Sequence, residues 1–464
     1  MGDLFTSLTS ASRALDAQRY GLDVAGQNIA NVNTPGYARR VVDLYAVAPD
    51  SPGVAGRGVD VAGIRSLRDQ LLERRLGQEV SAEQKQVALA NSLKVVEATL
   101  GTAGKSIDAS LQQFFNAFSD LSQDPTSPVQ RQQVLLQGAN LASSFRNVAA
   151  RLEDARRSSD LDIRGAAEDI NDLTSRIAAI NGLMGGPANQ VLHLQDEQGQ
   201  LVRQLSELVD VNVLPRAGGG VDISVGSGRP LVVGSSSYSM VQVQGPPSGY
   251  VDLTINGVTI TSEITGGRLG GLIGARDTNI PAYLDRLDTL AYEVVDRVNT
   301  LQTAGFDLNG NSCGGVPPAP TQNFFAALAG TSGAAAGMFV DATLAADPSL
   351  IAAAGIAEAG DNQTARAIAA LREARVLDGN TTTLNEGWSQ LVYRVGRDTK
   401  SANDEQSNRA AIVGQVESLR DEVSGVSLDE EAMHLLKFQR AYEANARFFR
   451  TIDESIQTLL DELR

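Results

Sequence analysis

Cysteine is almost missing from this chain. Cys313 is the single one among 464 residues, so no internal disulfide framework can hold the fold, and its Gly/Pro-rich surroundings offer it no neighbouring base. Histidine is nearly as scarce. His193 and His434 both sit in helical patterns without a second ligand-type residue at a metal-binding step, so neither builds a zinc site. Gly226-Ser227-Gly228 and Gly266-Gly267 lack the lysine of a phosphate-cradling loop and read as turns. There is no nucleophile elbow and no kinase motif set. These gaps leave no candidate catalytic, metal or cofactor-binding residue, and no cofactor is expected. No apolar run approaches the ~20 residues that span a bilayer, which speaks against membrane insertion. The N-terminus shows no cationic stretch followed by an apolar one, so no cleavable secretory signal is expected, and composition alone would place the chain in the cytoplasm. Basic residues are dispersed through a chain of net charge -16, which excludes nucleic acid as a partner. Aromatics make up only 5% of the residues and alanine supplies much of the 42% hydrophobic fraction, a composition suited to long helices packed through thin seams.

What the chain does have is a heptad pattern at each end. Toward the C-terminus, steps of seven give Leu428, Leu435, Tyr442, Phe449 and Ile456, and a row three residues later gives Glu431, Phe438, Asn445, Ile452 and Leu459. Ser427-Leu428-Asp429-Glu430 reads as a capping box, with the acids in the first turn where the helix dipole favours them. Nothing breaks the pattern before Arg464, so the helix could reach ~54 Å, too long to be buried alone. Toward the N-terminus the same step gives Leu8, Leu15, Leu22 and Ile29, with Leu4, Ala11 and Ala25 beside them, until Asn33-Thr34-Pro35-Gly36 stops the helix. Two readings of these ends are open: ordinary core helices, or helices that stack with copies of themselves and related subunits.

Between the ends the pattern changes twice. Tyr37 to Val61 reads as extended chain with turns at Pro49, Pro52, Gly53, Gly56 and Gly58. Leu67 to Val209 reads as a helical hairpin array, with a start at Ser127-Pro128 supported by Gln130, apolar steps at Val134, Leu141, Val148, Ile163, Ile170 and Ile177, and a stop at Gly185-Gly186-Pro187. Period two then takes over from Val211 to Ile255, and Asn256-Gly257 is a strong hairpin signal. Helix returns over Pro281 to Leu301 and over Asn362 to Leu377. Trp388 to Val423 is a further long helix with Trp388, Val395, Ala402, Val416 and Val423 on one seam, weakened by Arg409. The stretch Ala326 to Gly360 has no clear period. The fold class is therefore mainly α with a β-rich insert: long terminal helices paired in a coiled-coil-like bundle, a central helical array and a small β domain. The expected domains are 1–36 with 428–464 for the helix pair, 37–210 with 362–427 for the helical body, and 211–361 as a β-rich outer unit carrying a helix near 281–301.

Ile29-Ala30-Asn31 with Thr34-Pro35-Gly36-Tyr37-Ala38-Arg39-Arg40 resembles the signature that closes the first helix of flagellar rod, hook and hook-associated subunits. Ser427-Leu428-Asp429-Glu430-Glu431-Ala432 with Phe438-Gln439-Arg440-Ala441-Tyr442-Glu443-Ala444-Asn445-Ala446 is similar to their C-terminal signature. Gly266-Gly267-Arg268-Leu269-Gly270-Gly271-Leu272-Ile273, Arg276-Asp277, Ile280-Pro281-Ala282-Tyr283, Val298-Asn299, Asp307-Leu308-Asn309-Gly310 and Asn323-Phe324-Phe325 resemble the hook-associated protein 1 family in their order. The chain departs from that family after Gly310, where Cys313 to Pro320 replaces a short link, and it looks short in the middle. The resemblance implies a structural subunit of the hook-filament junction that assembles through its terminal helices and holds the filament. It implies copies of itself, the flagellar hook protein, a second junction protein and an export chaperone as partners. It also implies export through the flagellum's own type III apparatus to the cell exterior without signal cleavage, in place of the cytoplasm. The subunit-interface residues would be Leu8, Leu15, Leu22, Ile29, Asn31, Tyr37, Leu428, Leu435, Phe438, Tyr442, Phe449, Ile452 and Ile456, although a local turn role suits Asn31 and Tyr37 equally well. Alternatives are a hook or rod subunit, or a secreted effector or adhesin with its activity in the insert. The long helical block at 67–209 argues against the first. The shortness of 211–264, without His, Cys or clustered carboxylates, argues against the second and against an enzyme.

Overall fold

The computed structural model describes residues 2–48, 57–100, 106–186, 188–245, 249–315, 321–358 and 360–462. Parts of four sequence expectations fall outside them: Pro49, Pro52, Gly53 and Gly56, the stop at Pro187, Val316 to Pro320, and the last residues 463 and 464. The chain opens with helix α1 (Gly2–Ala30) and a hairpin of β1 (Arg40–Ala46) and β2 (Val59–Ser66). The helical block follows as α2 (Gln70–Leu100), α3 (Ile107–Gln123), α4 (Pro128–Leu183) and α5 (Ala188–Leu208). A first sheet has the order β3 (Val211–Pro215), β4 (Val221–Val225), β5 (Arg229–Val233), β6 (Ser236–Ser237), all antiparallel. A second joins β7 (Met240–Gln244), β8 (Val251–Ile255) and β9 (Val258–Thr259). The return path is α6 (Gly267–Gly274), α7 (Ile280–Ala304), α8 (Ala342–Ala346), α9 (Gln363–Ala370), a small hairpin of β10 (Arg375–Leu377) and β11 (Thr382–Thr383), then α10 (Leu384–Ser424) and α11 (Leu428–Glu462).

Local chemistry explains most of these boundaries. Ser127 accepts the Gln130 amide as the N-cap of α4, with Pro128 at the first helical position; a Gln130 side-chain bond completing the box is not among the bonds of the described residues. Asn256 and Gly257 have φ of 50° and 77°, the left-handed pair that a two-residue hairpin turn requires. Thr383 and Glu386 form a complete capping box at the start of α10, four residues before the expected Trp388. On the expected seam of α10, Trp388, Val395, Ala402 and Val416 are buried, but Val423, in the last turn, is 47% exposed. The expected helix from Asn362 to Leu377 ends at Ala370, since Arg375–Leu377 pairs instead with Thr382–Thr383.

Two hydrophobic cores are threaded on α4. The first joins the ends of α2 and α4 (Leu93, Leu141, Phe145) with α3, α7, α10 and residues 324–368. Its centre is a cluster in which the Phe114 ring lies 5.2–5.4 Å from those of Phe115, Phe118 and Phe324, and Phe324 meets Phe325 edge-on at 4.8 Å. Asn299 holds the paired phenylalanines by accepting their amides at 3.0 and 2.9 Å and donating to Phe325 O. The second core packs the C-terminal half of α4 and α5 against α6 and both sheets. The boundary between the cores falls inside 211–361: residues 211–273 belong to the second and 280–353 to the first.

Asp160, on α4 between the two cores, accepts the Val251 amide at 2.9 Å and the buried Arg276 guanidinium at 2.6 Å, while its other oxygen accepts from Arg164 at 3.0 Å. Burial alone would raise its carboxyl, but these donors outweigh it and hold the carboxyl below the usual range. A depressed folded value adds stability that is complete above the unfolded carboxylate value and lost as pH falls through the folded one. Asp160→Ala should therefore cost about 3–5 kcal/mol in urea unfolding near neutral pH. The gap from the parent should close in acid, and a gap unchanged at low pH would show that the ion pair is not its source.

Candidate functional site

Helices α1 and α11 run together, and the face of α1 turned inward is made of small residues. Ala11, Ala17, Gly21, Val24, Ala25 and Asn28 are buried. The reason is visible at Gly21, where a Cβ would sit 2.6 Å from the Phe438 ring, so only glycine lets the helices approach this closely. Leu8, Leu15, Leu22 and Ile29 lie on the adjoining row and are half-buried. On α11, Ile452 is buried, Leu435, Phe438, Phe449 and Ile456 are half-buried, and Leu428 and Tyr442 are 52% and 39% exposed. Met433, Leu436, Phe448 and Leu460 add further exposed apolar surface to the same helix.

The pair joins the body at a buried polar hub. Asn28 donates to Arg40 O at 2.9 Å and to Glu431 Oε2 at 3.0 Å, and its carbonyl accepts from Arg40 N at 3.0 Å and from the Tyr37 hydroxyl at 2.8 Å. Glu431 is only 3% exposed, and its second oxygen accepts from Arg39 Nε at 2.7 Å. Arg39 also reaches Glu430 at 2.9 Å, and its amide donates to Ser424 O at 2.9 Å, tying the two strands of chain that cross from body to helix pair. Asp196 on α5 carries the connection into the body, accepting from Arg40 at 2.8 Å and Arg68 at 2.6 Å. Arg40 stacks over the Tyr37 ring at 5.0 Å. Burial raises the Tyr37 hydroxyl above its ordinary value, with Arg40 opposing, so the phenol stays a proton donor to Asn28. Asn31 has a local role here: its amide caps Gln27 O and it accepts from Thr34 in the turn that closes α1.

Sequence reasoning places Tyr37 and Arg39-Arg40 in a signature but misses Asn28, Asp196 and Arg68. Glu431 carries a signal that was available, because an acid on an otherwise apolar heptad row must find buried donors.

Three family models match this chain. Residues 93–316 match the flagellar hook-associated protein FlgK helical domain, 8–37 the flagella basal body rod protein, and 418–462 the flagellar basal body rod FlgEFG protein C-terminal region. Flagellar hook-associated protein 1 of Escherichia coli K12 is 23% identical, aligned over 98% of this chain and 99% of its own length, and that of Bacillus subtilis 168 is 23% identical over 99% of each. The chain belongs to the FlgK family of flagellar hook-associated proteins. The E. coli alignment runs to 542 positions against a chain of 464 residues, so that FlgK carries stretches this one lacks. The FlgK fold is shared with the solved flagellar hook junction protein of Burkholderia pseudomallei, at 16% identity and a TM-score of 0.65 over 76% of this chain and all of that one. The two rod-type segments bracket the hub: Asn28 and Tyr37 lie in one, Glu431 in the other.

Glu431→Ala leaves Asn28 Nδ2 and Arg39 Nε without their carboxylate, at a cost of about 1–3 kcal/mol. The expected result is faster amide hydrogen exchange along α1 with unchanged protection in α3 and α4. Unchanged exchange in α1 would show that Glu431 does not hold the pair.

Proposed function

We propose that this flagellar structural protein is a subunit of the hook-filament junction, polymerising through α1 and α11 and required for the filament to attach. The observation that carries this reading is the helix pair itself. Its inner face is closed by small residues, while the rows of Leu8, Leu15, Leu22 and Ile29, and of Leu428, Leu435, Tyr442, Phe449 and Ile456, keep apolar surface that a single chain does not cover. Phe438 and Ile452 fix the pair from within, and Asn31 and Tyr37 set where the chain leaves it. Each such helix contact is weak, and repetition around a lattice multiplies it.

In this reading the partners are further copies of the chain, the hook protein below, the second junction protein above and, before assembly, an export chaperone that covers the exposed face of α11. The protein works outside the cell, exported without signal cleavage, and its role is binding, with no catalytic step. That the relatives are hook-associated and hook junction proteins supports this over a rod or hook subunit.

Deleting the gene should give cells with bare hooks and flagellin lost to the medium, seen by electron microscopy and immunoblotting. Normal filaments would sink the junction role, and missing hooks would indicate a rod or hook subunit. Tyr442→Asp, at an exposed site, should change monomer stability by less than about 0.5 kcal/mol yet block incorporation. Normal incorporation of that variant would remove residue 442 from the interface.

A further inference from the structure

Glycine is the weakest helix former after proline, yet α1 carries it at two interior positions, Gly21 and Gly26. At Gly26 nothing lies within 4 Å of where a Cβ would be. At Gly21 that Cβ would meet three atoms of the Phe438 ring at 2.6–2.8 Å. One of them is Cγ, the root of the ring, so swinging the far edge aside would not make room for a methyl group. His434, one turn back on α11, stacks on the same ring with centroids 6.3 Å and planes 29° apart, which confines it from its own helix.

The leucine rows do not say how far along α1 the second helix lies. Leu8, Leu15, Leu22 and Ile29 repeat every seven residues, as do Leu428, Leu435, Tyr442, Phe449 and Ile456, so a slide by seven sets apolar on apolar again. Register has to come from contacts that do not repeat. Asn28 meets Glu431 and Gly21 meets Phe438, one step of seven in opposite directions, as two antiparallel helices require. The rows through these contacts read Ser7, Ala14, Gly21, Asn28 and Glu431, Phe438, Asn445, Ile452, so the smallest residue of one receives the largest of the other. A slide by seven would set Phe438 against Ala14 or Asn28, and neither has the bare Cα that the ring lies on. The two contacts are about 10.5 Å apart along the axis and on one face. The hub alone pins a single point of α11 and leaves the helix free to swing and roll, whereas a second pin fixes its direction and its roll together.

We propose that Phe438 on Gly21 is a positioning contact: it sets the register of α11 on α1, and through it the alignment of the apolar rows by which the chain assembles. The second half of this statement rests on the assembly reading above. The first concerns one chain alone and is tested separately.

The test uses the full-length chain with Ala14→Cys and Asn445→Cys, one further step of seven from the contact, where both residues are half-buried. Cys313 is buried and its thiol is pushed up to about 12, so it stays out of the bridging. The 14–445 disulfide should close in the monomer. Gly21→Ala should slow closure by about ten-fold or more, Gly26→Ala should leave it unchanged, and Phe438→Leu should restore it in the Gly21→Ala chain. Alanine favours the helix at both glycine positions, so a loss at 21 alone does not come from a weaker helix. Independent losses add, so recovery on shrinking the ring marks a direct contact. No closure in the starting chain, closure indifferent to Gly21→Ala, or closure slowed further by Phe438→Leu overturns the positioning role. In flagellated cells lacking the native gene, Gly21→Ala should cut incorporation by about ten-fold or more, and Phe438→Leu should restore it. Normal incorporation of Gly21→Ala while Tyr442→Asp stays out overturns the link from register to assembly. Normal incorporation of both takes down the assembly reading and that link with it, and the disulfide still decides the register.

Discussion

A carboxylate buried in the first turn of α11 governs where the two ends of the chain lie. An ionised acid removed from water needs donors on both oxygens, and Glu431 receives them from Asn28 and Arg39, roughly four hundred positions earlier. Neither end can complete this arrangement without the other. Asn28 in turn uses all its remaining capacity on Arg40 and Tyr37, so the exit of α1, the entry of α11 and the first strand are set by one small group of atoms. The hub therefore does for the outer part of the molecule what a hydrophobic core does for the body.

The helix pair and the body are stabilised by different means. In the body, the five clustered phenylalanines fill the first core and aliphatic side chains fill the second. In the pair, the inner row of alanines and Gly21 leaves little area to bury, and close approach replaces bulk. Such a pair has limited stability of its own, because most helical stability in proteins comes from burying a broad apolar face. The larger residues Leu8, Leu15, Leu22 and Ile29 are turned sideways and stay half-buried.

Much of this was legible from the residues. The heptads at both ends, the stop at Pro35-Gly36, the Ser127-Pro128 start and the Asn256-Gly257 turn are local signals, and the elements follow them. The inward row of α1 was not legible, since hydrophobicity singles out Leu8, Leu15, Leu22 and Ile29 while the tightest contact selects the smallest side chains. Residues 326–360 were opaque for another reason. Their backbone is held by side chains from distant helices, Asp288 accepting from Gly333 and Ala335, and Gln302 bonding Leu350 and Ala352, and such bonds leave no periodic trace. The hub stood between these cases: its motif was readable, but the partners of Glu431 were not.

Helix α4 is continuous for 56 residues, about 84 Å at 1.5 Å per residue, and passes through both cores. It acts on them as a tie rod acts on the two ends of a frame. Sliding one core along the other would have to shear its ladder of backbone hydrogen bonds, whereas the returning chain crosses the same gap through a single wide turn at Ala275–Asn279. Load applied at one end of the body is thus carried along the axis of α4, beside α2, whose Ala88 lies in the second core and Leu93 in the first.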